Sequence, residues 1–314
     1  MKIWMSASLL ALASWPALAQ DYPSRPVRLI APYAAGNGAD VIARLLADGL
    51  GKQLKQTVYV ENRSGASGAI GTQVLAAAAP DGYSISLGGM TTHTLAPIVL
   101  PKLAYDPVKD FSVIGRVGVS SIVLVAHNSF PANNIKELKA LTKSRPDLQY
   151  GSWGQGSTGH FCGEVLNQKA GMKMTHMSFG AQILQSLLGG HVEVGFIDLA
   201  SAVPLVKTGK LKALAMCTRT SPSLPGVASY AEQGIAFDQD LSWAMYAPAK
   251  TPKPVMDKLA EALKVTLADP AVVERLKALG TQAEFLPGSQ QAEITRKDIA
   301  VWRKIGEEAK VKFE

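Results

Sequence analysis

The chain is poor in the residues that carry metal and redox chemistry. It has two cysteines, Cys162 and Cys217, and five histidines scattered singly along 314 residues. Neither Cys-x-x-Cys nor His-Glu-x-x-His occurs, so no metal site and no cofactor are expected. Both cysteines sit in apolar segments and are read as two buried free thiols. An exported chain also permits a bridge between them, and spacing alone does not decide. Aromatic residues make up 7% of the chain and none is interleaved with a basic block, so the net charge of +7 does not read as a nucleic-acid footprint. A mild positive excess suits a small anionic ligand, although net charge speaks more to solubility and steering than to fold. Beyond the N-terminus no apolar run approaches the roughly 20 residues of a membrane span.

Nucleophile and dinucleotide motifs are missing as well. Ser67 and Ser157 lie in glycine-rich turns, but Ala69 and Gln155 stand where Gly-x-Ser-x-Gly requires glycine. His160 lies three residues beyond Ser157, with no third partner in view. Gly36-Asn37-Gly38 lacks the third glycine of a Rossmann turn, because position 41 is Val. No catalytic residue is therefore expected. A secreted serine hydrolase of α/β fold is the alternative reading.

What is present begins with a leader. Lys2, an apolar run over residues 3–15 and Ala17-Leu18-Ala19 form a secretory signal peptide over residues 1–19, which predicts a mature chain in the periplasm. Strand-like and helix-like periods then alternate. Apolar residues 27–31 lead through Pro32-Tyr33-Ala34-Ala35-Gly36-Asn37-Gly38-Ala39-Asp40 into a helical pattern at 41–50. Residues 57–61 lead through Asn62-Arg63-Ser64-Gly65-Ala66-Ser67-Gly68-Ala69 into an Ala-rich helix at 70–79. Residues 83–88 form a third strand, followed by a loop carrying Thr91 and Thr92. Such repeats build a parallel sheet with helices on its faces, and ligands bind beyond the carboxyl ends of its strands. The alternation restarts near residue 128. There a strand at 148–152 runs through Gly151-Ser152-Trp153-Gly154-Gln155-Gly156-Ser157-Thr158-Gly159-His160 into a helix, the counterpart of the first loop. The predicted architecture is two α/β lobes, residues 20–123 plus 245–314 and an inserted 124–244. Two crossings, near 122–126 and 242–247, could act as a hinge with the ligand between the lobes.

The opening loop admits two readings: a tight βα turn with Asp40 at the helix start, or an anion cradle of bare backbone at a helix N-terminus. A helix dipole contributes about 0.3–1 kcal/mol to a bound carboxylate, and each charge-assisted hydrogen bond about 1.5–3 kcal/mol. Two facing loops could thus reach the roughly 8 kcal/mol of a micromolar complex without an arginine clamp. Ser157 and Thr158 are helix caps or ligand contacts, and a cap with free neighbours would serve both roles. Asp198 ends a strand and caps the next helix; facing the cleft, it would select a hydrogen-bond donor on the ligand. Tyr33 reads as lobe core. Trp153 is either core or a stacking surface.

In order and spacing, several pieces resemble one family. They are Pro32…Gly36…Asp40, Val60-Glu61-Asn62-Arg63 with residues 65–71, Tyr105-Asp106-Pro107 with Lys109-Asp110-Phe111, residues 151–160, Leu187-Leu188-Gly189-Gly190-His191-Val192, Gly209-Lys210-Leu211-Lys212-Ala213-Leu214-Ala215, and Ala247-Pro248 with Thr251-Pro252. The mature chain resembles, nearly end to end, the periplasmic solute receptors of tripartite tricarboxylate transporters, the Bug or TctC type. That resemblance implies a type II periplasmic-binding-protein-like fold, two mostly parallel sheets flanked by helices and closing on an organic acid. It implies no catalysis, and a monomer that delivers its ligand to membrane permease subunits. One carboxylate would be held by the loops at 32–40 and 152–158, giving Tyr33, Ala35, Gly36, Asn37, Asp40, Ser152, Trp153, Gly156, Ser157 and Thr158 as ligand-binding candidates, to which Ser67, Thr91, Thr92 and Asp198 are added from the other strand ends and loops. The chain departs from the family where a first-loop Pro-Gly-Gly is Ala35-Gly36-Asn37. An aromatic-Lys-Gly turn is Met177-Ser178-Phe179, and an Asp after Phe196 is Ile197, with Asp198 next. The far half of the pocket is therefore expected to be atypical.

Overall fold

A computed structural model describes residues 22–100, 102–237 and 239–308; the leader at 1–19 lies outside them. The strands are β1 (Val27–Ala31), β2 (Val58–Asn62), β3 (Ser84–Gly89), β4 (Phe111–Ser120), β5 (Ile122–His127), β6 (Gln149–Ser152), β7 (Thr175–Ser178), β8 (Val194–Asp198), β9 (Leu211–Met216), β10 (Leu241–Pro248) and β11 (Gln282–Pro287). The helices are α1 (Gly38–Leu54), α2 (Ala69–Ala76), α3 (Ala96–Val99), α4 (Ile135–Ser144), α5 (Thr158–Ala170), α6 (Ile183–Leu188), α7 (Leu199–Lys207), α8 (Lys253–Ala268), α9 (Pro270–Ala278) and α10 (Gly288–Glu308).

Two sheets form, one in the order β11-β4-β10-β3-β1-β2 and one in the order β7-β6-β8-β5-β9. The βα repeats pair parallel, β1 with β2 and β3, and β6 with β7 and β8. This is the pairing that a helical crossover imposes. The strands that carry the chain between lobes run the other way: β10 is antiparallel to β3 and β4, and β5 to β8 and β9. The chain changes sheet between Ser120 and Ile122 and again ahead of Leu241. The edge strand β11 was not anticipated, because its sequence, Gln-Ala-Glu-Phe-Leu-Pro, is only partly buried and lacks a clean alternation.

Both faces of the first sheet are covered, which is why β1 reads as a continuous apolar run. Leu29 and Ala31 pack on Ile42 and Leu46 of α1 and Leu263 of α8. Ile30 packs on the other side with Leu75, Tyr105 and Tyr246. In the second sheet Phe196 meets Tyr150, Phe161 and Val165 on one face, while Ile197 meets Ile183 and Val203 on the other. The C-terminal helix α10 crosses to this second core. Its Trp302 is fully buried, edge-on to Phe161 at 5.8 Å and Phe237 at 5.4 Å.

The expectation of free thiols is overturned. Cys162 on α5 and Cys217 just past β9 form a disulfide, with their Cα atoms 5.9 Å apart. Both residues belong to the same buried cluster between helix and sheet, so tertiary packing brings together thiols that lie 55 positions apart in sequence.

Candidate functional site

The strand-to-helix loops of the two sheets face one another across a cavity of about 330 Å³. Asn37 opens α1, and its side-chain oxygen accepts the Asp40 amide at 2.8 Å. Ser157 opens α5, and its hydroxyl accepts the His160 amide at 3.3 Å. Each cap satisfies one of the orphan donors of a helix start. The next amides inward, those of Ala39 and Gly159, line the cavity and have no acceptor among the described residues. Two helix N-termini, one from each lobe, thus present free N–H groups to the same space.

The lobes are shut on each other. The Gly38 amide donates to Ser201 Oγ at 3.1 Å, Ser67 Oγ donates to the Gln155 carbonyl at 2.8 Å, and the Thr91 and Thr158 hydroxyls pair at 2.8 Å. The fit at Gly38 is tight. A Cβ there would stand 2.5 Å from both Ala200 Cβ and Asp198 Oδ1.

Of the expected site residues, Tyr33, Asn37, Ser67, Thr91, Trp153, Ser157, Thr158 and Asp198 line the cavity. Tyr33, expected in the lobe core, is half-buried, meets Trp243 edge-on at 5.6 Å and forms part of the wall. Burial pushes its phenol well above the usual range. Asp198 does both things expected of it. It caps α7, accepting the Ser201 amide at 2.8 Å and the Ser201 hydroxyl at 2.9 Å, and it faces the cavity. Burial raises its carboxyl above the ordinary value, against the opposing pull of the bonds from Ser201 and Trp153.

The other six candidates stand behind or outside the wall. Ala35 and Gly36 are exposed. Asp40 is buried as a brace, accepting the Gly36 amide at 2.9 Å, Arg44 Nε at 3.0 Å and Asn62 Nδ2 at 2.8 Å. Burial pushes its carboxyl up, and these bonds outweigh that and lower it overall. The loop expected at Thr91 and Thr92 winds into a wide helical turn, Met90–Leu95. The winding leaves Thr91 on the cavity and turns Thr92 inward, where its hydroxyl bonds Gly89 and His93. Ser152 lies fully buried under its loop, bonded to Gly154, Ser157 and His176. Gly156 packs on Val99 of the opposite lobe with φ +72°, so its role is backbone shape and close approach.

Sequence reasoning missed the floor of the cavity: Ser120, Ser121 and Ile122 at the first crossing, and Leu241, Ser242 and Trp243 at the second. Their signal was the crossings themselves, since strands that join two lobes must pass beneath whatever lies between them.

Neither Ser67 nor Ser157 bonds an imidazole directly, although Ser152, which accepts from Ser157, meets His176 Nε2 at 2.7 Å. Ser157 Oγ donates to Ser152 Oγ, and Ser67 donates to a carbonyl. His160 Nδ1 accepts the Gly156 amide at 3.0 Å, and its ring stacks on His176 with centroids 4.0 Å apart. Burial, with His176 alongside, lowers His160 to about 3, so that imidazole is neutral and already committed to the loop.

The chain is similar to a known family and to several of its members. The model of the tripartite tricarboxylate transporter family receptor matches residues 42–310. The UPF0065 protein in the TAR-I ttuE-ttuC' intergenic region of Agrobacterium vitis is 35% identical over 273 residues, covering 85% of this chain and 79% of that protein. Among solved structures, the periplasmic binding protein BugD superposes with a TM-score of 0.87 at 34% identity, over 93% of this chain and 99% of that one. MatC from Rhodopseudomonas palustris, solved with bound malate, superposes with a TM-score of 0.85 at 30% identity, over 90% of this chain and 99% of its own.

Proposed function

Because the chain belongs to the tripartite tricarboxylate transporter receptor family, we propose that it is a periplasmic solute receptor. It binds an organic carboxylate by closing two lobes and delivers it to membrane permease subunits. The observation that carries this reading is the pair of opposed helix starts whose Ala39 and Gly159 amides reach the cavity without an acceptor. A carboxylate is the group that such donors stabilise, through direct hydrogen bonds and the field of two helix dipoles. The relative solved with bound malate carries a ligand of this chemical class. That neither Ser67 nor Ser157 bonds an imidazole directly supports binding over hydrolysis.

The test is calorimetric and thermal-shift titration of the mature protein with mono-, di- and tricarboxylates. A ligand at about one hundred times its Kd stabilises a receptor by about 2.7 kcal/mol, a clear rise in melting temperature. No rise with any carboxylate, together with measurable ester or amide hydrolysis, would replace this reading with the hydrolase.

A further inference from the structure

We infer that the ligand is a monocarboxylate on a flat aromatic ring, and that aliphatic di- and tricarboxylates are excluded. This rests on the receptor reading and narrows it to a substrate class.

Charge is the first observation. Among the described residues lining the cavity there is no Lys, Arg or His, and Asp198 is the single acid. The two helix starts can neutralise one carboxylate between them. A second carboxylate would find no cation and would share the cavity with the Asp198 side chain. The floor hydroxyls offer little to a second anion: Ser120 donates to the Gly280 carbonyl at 3.2 Å and Ser121 to the Ile122 carbonyl at 3.3 Å, which leaves Ser242, the acceptor of Gln291 Nε2 at 3.2 Å, as the one floor serine with a proton to give.

The second observation is the wall. Trp153 comes from one lobe and Trp243 from the other. Tyr33 stands edge-on to Trp243, and Met90, Ile122 and Leu241 complete an apolar surface. Both tryptophans are half-buried, which leaves ring surface available. Indole faces and edges favour another ring through quadrupole contacts, and they gain less from a saturated or polar body. The third observation is size. About 330 Å³ equals roughly ten water volumes, room for one ring bearing a carboxyl group. Asp198 then faces the ring, where a phenolic or amino donor would be accepted and a carboxylate repelled.

The experiment is calorimetry on the mature protein with benzoate, 4-hydroxybenzoate, cyclohexanecarboxylate, adipate, malate and citrate. Benzoate or its hydroxylated form is expected to bind about fivefold or more tighter than cyclohexanecarboxylate, which matches it in charge and size but not in flatness. Malate and citrate are expected to be weaker still. Trp243→Leu and Trp153→Leu should each erase the ring preference while the protein still melts cooperatively. Asp198→Asn keeps the cap on α7 and should tighten malate several-fold. Malate, adipate or citrate binding as tightly as benzoate, or cyclohexanecarboxylate matching it, overturns the aromatic class and leaves the receptor reading standing. No change in malate affinity for Asp198→Asn overturns the charge exclusion. Silence from the whole panel removes the receptor reading itself.

Discussion

Gly38→Ala separates closure from folding. Gly38 is the first residue of α1, and its φ lies outside the left-handed region, so alanine meets no local strain. Within a helix the same exchange stabilises by up to about 1 kcal/mol. Across the cleft the position is crowded: the added methyl would meet Ala200 Cβ and Asp198 Oδ1 at 2.5 Å and the Ser201 amide nitrogen at 2.8 Å. All three atoms belong to the opposite lobe. The penalty therefore falls on the closed state alone, and overpacking of this kind costs about 1–3 kcal/mol. Closure is coupled to binding, so that cost becomes a rise in Kd of about 5- to 150-fold. Ala200 packs into the apolar cluster of β1 and α1, so the unliganded melting temperature should fall by no more than a few degrees. The assay pairs calorimetry with small-angle scattering. The variant should bind more weakly, and the compaction seen with ligand should shrink. Gly36→Ala is the control, since a Cβ there meets nothing within 4 Å but must adopt φ +81°, a cost borne by the loop rather than by closure. Wild-type affinity and wild-type compaction in Gly38→Ala would refute the claim that the bound state brings Gly38 against Asp198 and Ser201.

Two further outcomes follow from the fold. Replacing both Cys162 and Cys217 by Ala opens a loop of 55 residues. Chain entropy sets the loss at about 4 kcal/mol, a fall of several degrees in melting temperature that reductant should reproduce on the wild type; an unchanged melt sinks it. Acid should also weaken the protein through its buried imidazoles. Burial holds His93 and His160 near 3 and His176 near 4, against an ordinary 6.5. The unfolded chain therefore binds more protons across that window, so this contribution is complete above about pH 6.5 and drains away as pH falls toward 4. Asp298, raised to about 6 chiefly by burial, acts in the opposite sense, so the measurement is a difference. The melting temperature of His176→Asn should depend less steeply on pH between about 4 and 6.5 than that of the wild type, and equal slopes would refute the assignment.

Local order was legible in the sequence. The βα repeats announced themselves by period, and the caps at Ser157 and Asp198 could be named because a cap bonds a backbone amide three residues away, whereas the cap of α1 proved to be Asn37 and not the expected Asp40. The strand-end rule marked several loops on the binding edge alike, and it was the family resemblance that implied which two face one another across the cleft. Which side chains within those loops reach the cavity did not follow. Asp40 and Ser152 sit in the right loops, yet they turn back to hold them, with partners on Arg44, Asn62 and His176. Whether a short polar side chain points toward a ligand or toward its own loop depends on neighbours that the loop does not contain.

What the sequence by itself determined, then, is the set of helix starts that can hold an anion, because the donors, the caps and the dipole all arise within a few residues of chain. The tertiary structure alone decided that Gly38 would rest against Ser201, 163 positions away, that Trp243 would share a cavity with Trp153, and that Cys162 would find Cys217. Those contacts depend on how two lobes and two crossing strands pack in space, and no local periodicity encodes the distance between them.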